Sequence, residues 1–395
     1  MAKNRVLFDA TGLDSSHRFR GIGRYVGGLL TGFSSLPDCS KMPELELKVL
    51  RLSRQKKGTH FLGDAAVMTR IKRDAGFFYW LENRMRLRQD LNRLNQGMHL
   101  YHSTEPYSMA PWLTESMATV ATCHDLIPII LRDSYLGIKN SIYYRWARKA
   151  YSGVSGVIAI SQAVKKSLME YFDIPSERIA VVYHGVERHF FRNPGVTSPF
   201  TGHPYFFYAG GADPRKRLNL ILTAYARTRK DIPEHLVLCG SWTWLQRVKL
   251  LRMINKLSLT GCVHTLKHVS DKELIALYQG ATAFVFPSLY EGFGLPVLEA
   301  QAAGCPVITS RLSALPEVAR KAAVYLEGTD EEKSIEQLAA AMLELSTDTH
   351  RREELRREGF LNAASFTWGK TASDTLAVYK KVLHKDYPLN LQSQR

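Results

Sequence analysis

The sequence predicts an α/β chain built from two doubly wound domains. Three observations lead there. Short apolar strands alternate with helical patterns along most of the chain. That alternation breaks once, at a proline- and glycine-rich stretch, and then restarts. The length, 395 residues, exceeds the roughly 100–200 residues of a single domain.

The first half opens with a short apolar strand at Arg5–Phe8. A glycine loop, Gly21-Ile22-Gly23, is expected next, followed by a helix over Arg24–Phe33. Leu45–Leu52, His99–His102, Met117–Thr122, Gly156–Ile160 and Ala180–Tyr183 read as further strands. Ile142–Ala150 and Gln162–Tyr171 read as helices, the latter capped by Ser161.

Between Asn193 and Pro204 the composition shifts to three prolines and two glycines in twelve residues. Such a stretch marks a linker. The expected division is therefore 1–195 for the first domain, 196–204 for the linker, 205–375 for the second domain, and 376–395 for a final helix and tail. In the second half Tyr205–Ala209, His235–Cys239, Ala283–Phe286 and Pro306–Thr309 read as strands. Leu218–Thr228 and Pro296–Ala303 read as helices, and Ser270-Asp271-Lys272-Glu273 is a capping box opening a helix over Lys272–Tyr278. In paired doubly wound domains the ligand is expected in the cleft, outside the carboxyl ends of the strands.

Composition excludes several classes. Hydrophobic residues make up 45% and charged residues 23%, ordinary globular values that rule out disorder, collagen and coiled coil for the whole chain. No run reaches the roughly 18 apolar residues of a membrane-spanning helix. Met1–Asp9 has too short an apolar run for a signal peptide and reads as a strand. The five cysteines, Cys39, Cys123, Cys239, Cys262 and Cys305, form no C-x-x-C, which fits free thiols in a reducing cytosol. The net charge is +16, with 28 basic against 17 acidic side chains in residues 1–195 and 25 against 20 thereafter. Such an excess attracts nucleic acid, an anionic membrane or a phosphorylated ligand.

The densest motif runs from Phe286 to Ala300: Phe-Pro-Ser-Leu-Tyr-Glu-Gly-Phe-Gly-Leu-Pro-Val-Leu-Glu-Ala. It follows an apolar strand and opens a helix, so backbone N–H groups at the helix start can meet an anion. Glu291 falls in the loop and Glu299 in the helix, where carboxylates can accept hydrogen bonds from sugar hydroxyls. Pattern alone also allows a plain strand-to-helix turn with a glutamate favouring the helix dipole. Arg215-Lys216-Arg217 follows a strand and Gly210-Gly211, and by itself it also fits a solvated basic turn.

This motif resembles the Glu-x7-Glu signature of retaining glycosyltransferases of family 4, which have the GT-B fold. Other segments agree in order and spacing. Gly21-Ile22-Gly23-Arg24-Tyr25 resembles the family's N-terminal glycine loop, and His124-Asp125 its His-Asp pair. Ala159-Ile160-Ser161-Gln162 and Val182-Tyr183-His184-Gly185-Val186 resemble the segments that close its first domain. Arg215-Lys216 resembles its phosphate-binding basic pair, and Phe366-Thr367-Trp368 its C-terminal crossover. Gly211 stands where many members carry arginine, and His184 where many carry asparagine.

The resemblance implies a GT-B fold, with an acceptor-binding first domain facing a nucleotide-sugar-binding second domain across a cleft and a C-terminal helix crossing back. It implies transfer of mannose from GDP-mannose to a lipid-linked glycan, as in O-antigen synthesis, with retention of anomeric configuration. Lys216 and Arg215 would meet the leaving diphosphate, Glu291 the donor sugar, and Glu299 the ribose. Phe293, Gly294 and Leu295 would offer main-chain N–H groups to the phosphates and sugar. Gly21 and Gly23 would let the N-terminal loop approach the diphosphate. His124 would lie under the donor sugar, and Asp125 would orient the loop or approach the acceptor. The chain holds no D-x-D triplet, and no metal or other cofactor is expected.

Arg51–Arg93 holds 11 basic and 4 acidic residues, interleaved with Phe61, Phe77, Phe78, Tyr79 and Trp80. Arg70–Arg93 can be drawn as a basic amphipathic helix. A solvated face, nucleic acid and an anionic membrane are the readings it allows. A lipid-linked acceptor favours the membrane, with the protein on the inner, cytoplasmic side. No nucleic-acid motif is present. The rivals are a UDP-sugar donor and, in another class, a nucleic-acid-binding protein. The Trp242-Thr243-Trp244 cluster reads as a local lid over the base or, preferably, as an exposed aromatic patch.

Overall fold

The computed structural model describes residues 4–14, 21–36, 45–52, 66–69, 97–105, 117–131, 138–192, 195–267 and 269–384. The basic stretch Arg51–Arg93 lies outside these, apart from 51–52 and 66–69, as do Cys39, His268 and the tail. The chain divides into two units, Met1–Gly185 with Thr367–Arg395, and Val186–Phe366.

The N-terminal unit holds a seven-stranded sheet of β1 (Asn4–Asp9), β2 (Leu45–Leu52), β3 (Ala66–Thr69), β4 (Leu100–Ser103), β5 (Ala118–Cys123), β6 (Gly156–Ala159) and β7 (Ile179–Val181). The order is β3-β2-β1-β4-β5-β6-β7, with every neighbouring pair parallel. The helices are α1 (Gly21–Ser35), α2 (Ile127–Ile130), α3 (Ile138–Gly153) and α4 (Gln162–Phe172). Ser161 caps α4, its side chain accepting from Val164 N–H.

The C-terminal unit alternates β8 (Tyr205–Ala209), α5 (Leu218–Thr228), β9 (His235–Cys239), α6 (Trp244–Lys256), β10 (Val263–Leu266), α7 (Asp271–Gly280), β11 (Ala283–Phe286), α8 (Leu295–Ala302), β12 (Val307–Ser310), α9 (Leu315–Ala319) and β13 (Val324–Leu326). α10 (Glu331–Thr347) and α11 (Thr349–Ala364) follow. The six strands run in the order β10-β9-β8-β11-β12-β13, again all parallel. β8 and β11 are buried from end to end but for Ala209, as central parallel strands covered on both faces must be. The capping box expected at Ser270 forms, with both reciprocal hydrogen bonds to Glu273.

Two expectations are corrected. Gly21-Ile22-Gly23 is no loop but the first turn of α1, since neither glycine takes a positive φ and the backbone enters the helix at once. The division of the chain also falls elsewhere. Val186 N–H donates to the Phe366 carbonyl (3.0 Å), joining the two ends of the C-terminal unit. The proline- and glycine-rich stretch before β8 is a mostly exposed segment inside that unit, and the return begins at Thr367 rather than at 376.

Thr367 caps α12 (Trp368–Leu383), accepting from Lys370 N–H. α12 completes the N-terminal core by packing on α1, where two glycines make the approach possible. A Cβ at Gly28 would lie 2.1 Å from the Trp368 ring, and one at Gly32 would lie 2.2 Å from the Trp368 carbonyl oxygen. Thr371 donates to the Tyr183 carbonyl (2.8 Å), and Tyr379 meets His102 Nδ1 at 2.6 Å. Among the described residues no helix is long and apolar enough to cross a membrane.

Candidate active site

In the C-terminal unit the strand order reverses between β8 and β11, the topological switch point where doubly wound sheets bind ligands. The loops leaving these two strands carry the sequence-predicted residues and are fastened to each other. Leu289 N–H donates to the Arg215 carbonyl (2.8 Å), and the Arg215 guanidinium donates to the Tyr290 carbonyl (2.8 Å). Arg215 also pairs with Glu291 and, at 3.2 Å, with Asp213. Ser288 Oγ donates to Glu291 Oε1 (2.9 Å), and Glu291 N–H donates to Ser313 Oγ (2.9 Å). Glu291 is thus held in one orientation from three sides.

Asp213 caps the turn Pro214–Lys216, accepting from Arg215 N–H (3.1 Å). Lys216 Nζ lies 5.3 Å from the centre of the Phe286 ring, close enough for a cation–π contact. Burial pushes the Lys216 ammonium below its ordinary pKa, and Glu291 and Asp213 oppose that shift. Gly210 leaves room for it, since a Cβ there would lie 2.8 Å from Lys216 Nζ.

Gly294 is the N-cap of α8 with φ 102°, a left-handed conformation that suits glycine. Pro296 stands in the first turn of α8, where a missing N–H costs nothing. Phe293 is buried against Phe366 with ring centres 6.1 Å apart, while Leu295 is half-buried. Glu299 is buried within α8. The unit therefore brings Arg215, Lys216 and Glu291 together beside a helix N-terminus, an arrangement that can hold an anion and present a fixed carboxylate to hydroxyls.

The N-terminal unit has its own cluster. His124, just past β5, is buried and donates from Nε2 to the Thr104 carbonyl (2.8 Å), which fixes its tautomer. Its ring stands edge-on to Tyr25 of α1, with ring centres 4.9 Å apart. Asp125 Oδ1 accepts from Ile127 N–H (3.1 Å) and so orders the start of α2.

Sequence reasoning gives no role to three contributors here. His184 stacks on Tyr25 at 4.8 Å, which leaves the ring a packing role. His102 bridges Thr122 Oγ1 (2.8 Å) and Tyr379, with its pKa pushed down to about 3 by burial and then by His124. Glu105, just past β4, has its pKa pushed up to about 8 by burial and then by Asp9. Only the position of Glu105 after a strand could have signalled it. Trp244 is 79% exposed, whereas Trp242 is half-buried. Among the described residues no group of three or more His, Cys, Asp or Glu could hold a metal ion.

Comparison with known proteins gives two family matches. Residues 47–190 match "Glycosyltransferase Family 4", and residues 192–361 match "Glycosyl transferases group 1". The serotype-specific mannosyltransferase WbdA of Escherichia coli is 28% identical over 299 residues, covering 72% of this chain and 35% of that protein. The O-antigen chain mannosyltransferase B of Escherichia coli is 30% identical over 235 residues, covering 57% of this chain and 60% of that protein. The matched stretches thus span about a third and three-fifths of these curated relatives. The structure is similar to that of sucrose-phosphate synthase from Thermosynechococcus elongatus, with a TM-score of 0.75, 16% identity, and coverage of 97% of this chain and 100% of that one. This likeness bears out the GT-B fold implied by the motifs.

Proposed function

Because this chain belongs to glycosyltransferase family 4, we propose that it is a retaining α-mannosyltransferase using GDP-mannose. Its acceptor is a growing glycan on a polyprenyl diphosphate lipid, in the synthesis of O-antigen or another cell-surface polysaccharide. Two relatives named as mannosyltransferases support the choice of sugar. The observation that carries the reading is the fastening of Arg215, Lys216 and Glu291 at the β8/β11 switch point.

In this reaction the bond from the anomeric carbon to the phosphate oxygen breaks, and the acceptor oxygen bonds to the same face. The departing phosphate oxygen takes the acceptor's proton. The diphosphate gains charge as the bond breaks, so a preorganised cation stabilises the transition state more than the ground state. Lys216 supplies that cation. Arg215, occupied by Glu291, Asp213 and the Tyr290 carbonyl, acts chiefly by orienting Glu291. Glu291 receives hydroxyls of the donor sugar and Glu299 the ribose. The main chain of Phe293, Gly294 and Leu295 meets the phosphates and sugar at the start of α8. Gly21 and Gly23 admit the diphosphate near the start of α1. His124 lies under the donor sugar, and Asp125 keeps its loop in place for the acceptor. The charge is carried by side chains and a helix N-terminus, with no metal clamp.

A membrane-borne acceptor places the protein peripherally on the inner face of the membrane. The test is product analysis by mass spectrometry and NMR, with GDP-mannose, UDP-sugars and a synthetic polyprenyl diphosphate acceptor supplied in parallel. An α-mannosylated product from GDP-mannose is expected. Product from a UDP-sugar alone would overturn the donor, and a β-linked product would overturn retention.

A further inference from the structure

α6 follows β9 and turns only Leu250 and Ile254 fully into the core. Its outer face is unusual. Trp244 is 79% exposed, Leu245 55% and Leu251 46%. The described residues include eight exposed large hydrophobic side chains, and three of them stand on this one helix. Such residues are unremarkable when scattered singly, and meaningful when gathered.

The helical period sorts the face. Trp244, Val248 and Leu251, spaced by four and three, form one stripe, with Leu245 beside it. Arg247 and Arg252 flank the stripe on either side, and Lys249 and Lys256 lie farther round. The helix contains no acidic residue. Its start is fixed by a capping box in which Thr243 and Gln246 exchange hydrogen bonds at 2.9 and 3.3 Å, so Trp244 projects from an ordered first turn.

We infer that α6 lies in the headgroup layer of an anionic bilayer, with Trp244 and Leu251 at the acyl boundary and its four cations on lipid phosphates. Charge complementarity selects this occupant. A tryptophan and leucines flanked by cations of one sign match an interfacial helix, and tryptophan settles at headgroup level. Lysine is depleted from protein–protein interfaces, and α6 carries two, Lys249 and Lys256, on its polar side. The inference rests on the proposed lipid-linked acceptor for its purpose, and it locates a membrane attachment on α6 of the C-terminal unit.

The test is flotation of the full chain with phosphatidylcholine vesicles, with and without phosphatidylglycerol, at low and high salt. Binding is expected to need the anionic lipid and to weaken with salt. Arg247→Glu with Arg252→Glu should lower partitioning about 25-fold or more, at roughly fivefold per basic residue removed. Trp244→Ser with Leu251→Ser should lower it on the order of tenfold. Both variants should keep the thermal midpoint, the GDP affinity and the turnover of a short soluble acceptor, while turnover of a vesicle-borne acceptor falls. Flotation does not depend on turnover, so loss of the enzymatic reading and loss of this one are separate results. Variants that float like wild type would overturn the inference, as would wild-type binding indifferent to anionic lipid. So would a variant that changes only the oligomeric mass in light scattering, since the patch would then be a protein contact.

Discussion

Arg215 and Glu291 form an ion pair that ties the loop after β8 to the loop after β11, each side chain being 13% exposed. Asp213, Ser288 and the Tyr290 carbonyl complete the cluster. The two partners belong to segments far apart in sequence, and their pairing closes the switch point of the sheet.

Neutralising one partner leaves the other poorly compensated in a largely dry setting. Glu291→Leu is expected to destabilise the C-terminal unit by about 1–3 kcal/mol, less than for a fully buried pair because Asp213 still meets Arg215. The double variant Arg215→Met/Glu291→Leu should recover part of that loss. Chemical unfolding of the single and double variants measures it, and additive losses would deny the coupling.

The seat of α12 makes a second case. Gly28→Ala places a methyl against the Trp368 ring, whereas Gly32→Ala places one against the Trp368 main chain. Both should cost about 1–3 kcal/mol. Trp368→Leu should partly relieve the first and leave the second untouched, because only the first conflict is with a side chain. Equal relief of both, read from thermal unfolding, would contradict this packing.

That seat also shows what the sequence could and could not convey. β8, β11 and the start of α8 were legible because an apolar run gives way to glycine and proline within a few residues. Glu291 and Glu299 were placed correctly, one in a loop and one in a helix, for the same reason. Gly21 and Gly23 read as a loop because glycine usually punctuates, yet they enter a helix whose later glycines, Gly28 and Gly32, admit Trp368. That contact spans the length of the chain and leaves no local trace. β10 is half-buried throughout and mixes polar with apolar residues, so it carries no strand-like run. The prolines near residue 200 mark a surface segment, whereas the two units divide after Gly185 and after Phe366, where Val186 N–H meets the Phe366 carbonyl. The Arg215–Glu291 pair was hidden likewise, since each loop was read alone.

Stability should peak near pH 6.5. His102 and His184 are held neutral in the fold, with pKa values below the ordinary 6.5. Below pH 6.5 the unfolded chain therefore binds protons that the fold refuses, and stability falls with pH, by up to about 1.4 kcal/mol per pH unit for each ring. Glu105 works the opposite way. With its pKa raised from 4.5 to about 8, the fold keeps a proton the unfolded chain has lost, and stability falls as pH rises toward 8. Two rings outweigh one carboxyl below pH 6.5, and the carboxyl dominates above it. Urea unfolding across this range should show Glu105→Gln flattening the alkaline limb and steepening the limb between about pH 4.5 and 6.5, where the carboxyl opposes the rings. An unchanged alkaline limb in that variant would refute the assignment.

Metal dependence offers a further test. With Lys216 and a helix N-terminus carrying the phosphate charge, turnover in excess EDTA should stay within about twofold of the untreated rate, since no metal-bound stabilisation is lost. Abolished turnover restored by Mg²⁺ or Mn²⁺ would show that a cation completes the site.

The central claim is that one loop pair holds a nucleotide-sugar across the β8/β11 switch point, with Lys216 on the reacting diphosphate and Glu299 on the ribose. Steady-state kinetics of Lys216→Ala and Glu299→Gln, with GDP-mannose varied at saturating acceptor, test it most directly. Lys216→Ala should lose on the order of a hundredfold in kcat, because its charge acts where charge develops. Glu299→Gln should chiefly raise KM for the donor, because it holds a part that does not react. Wild-type kcat in Lys216→Ala, or an unchanged donor KM in Glu299→Gln, would contradict this placement.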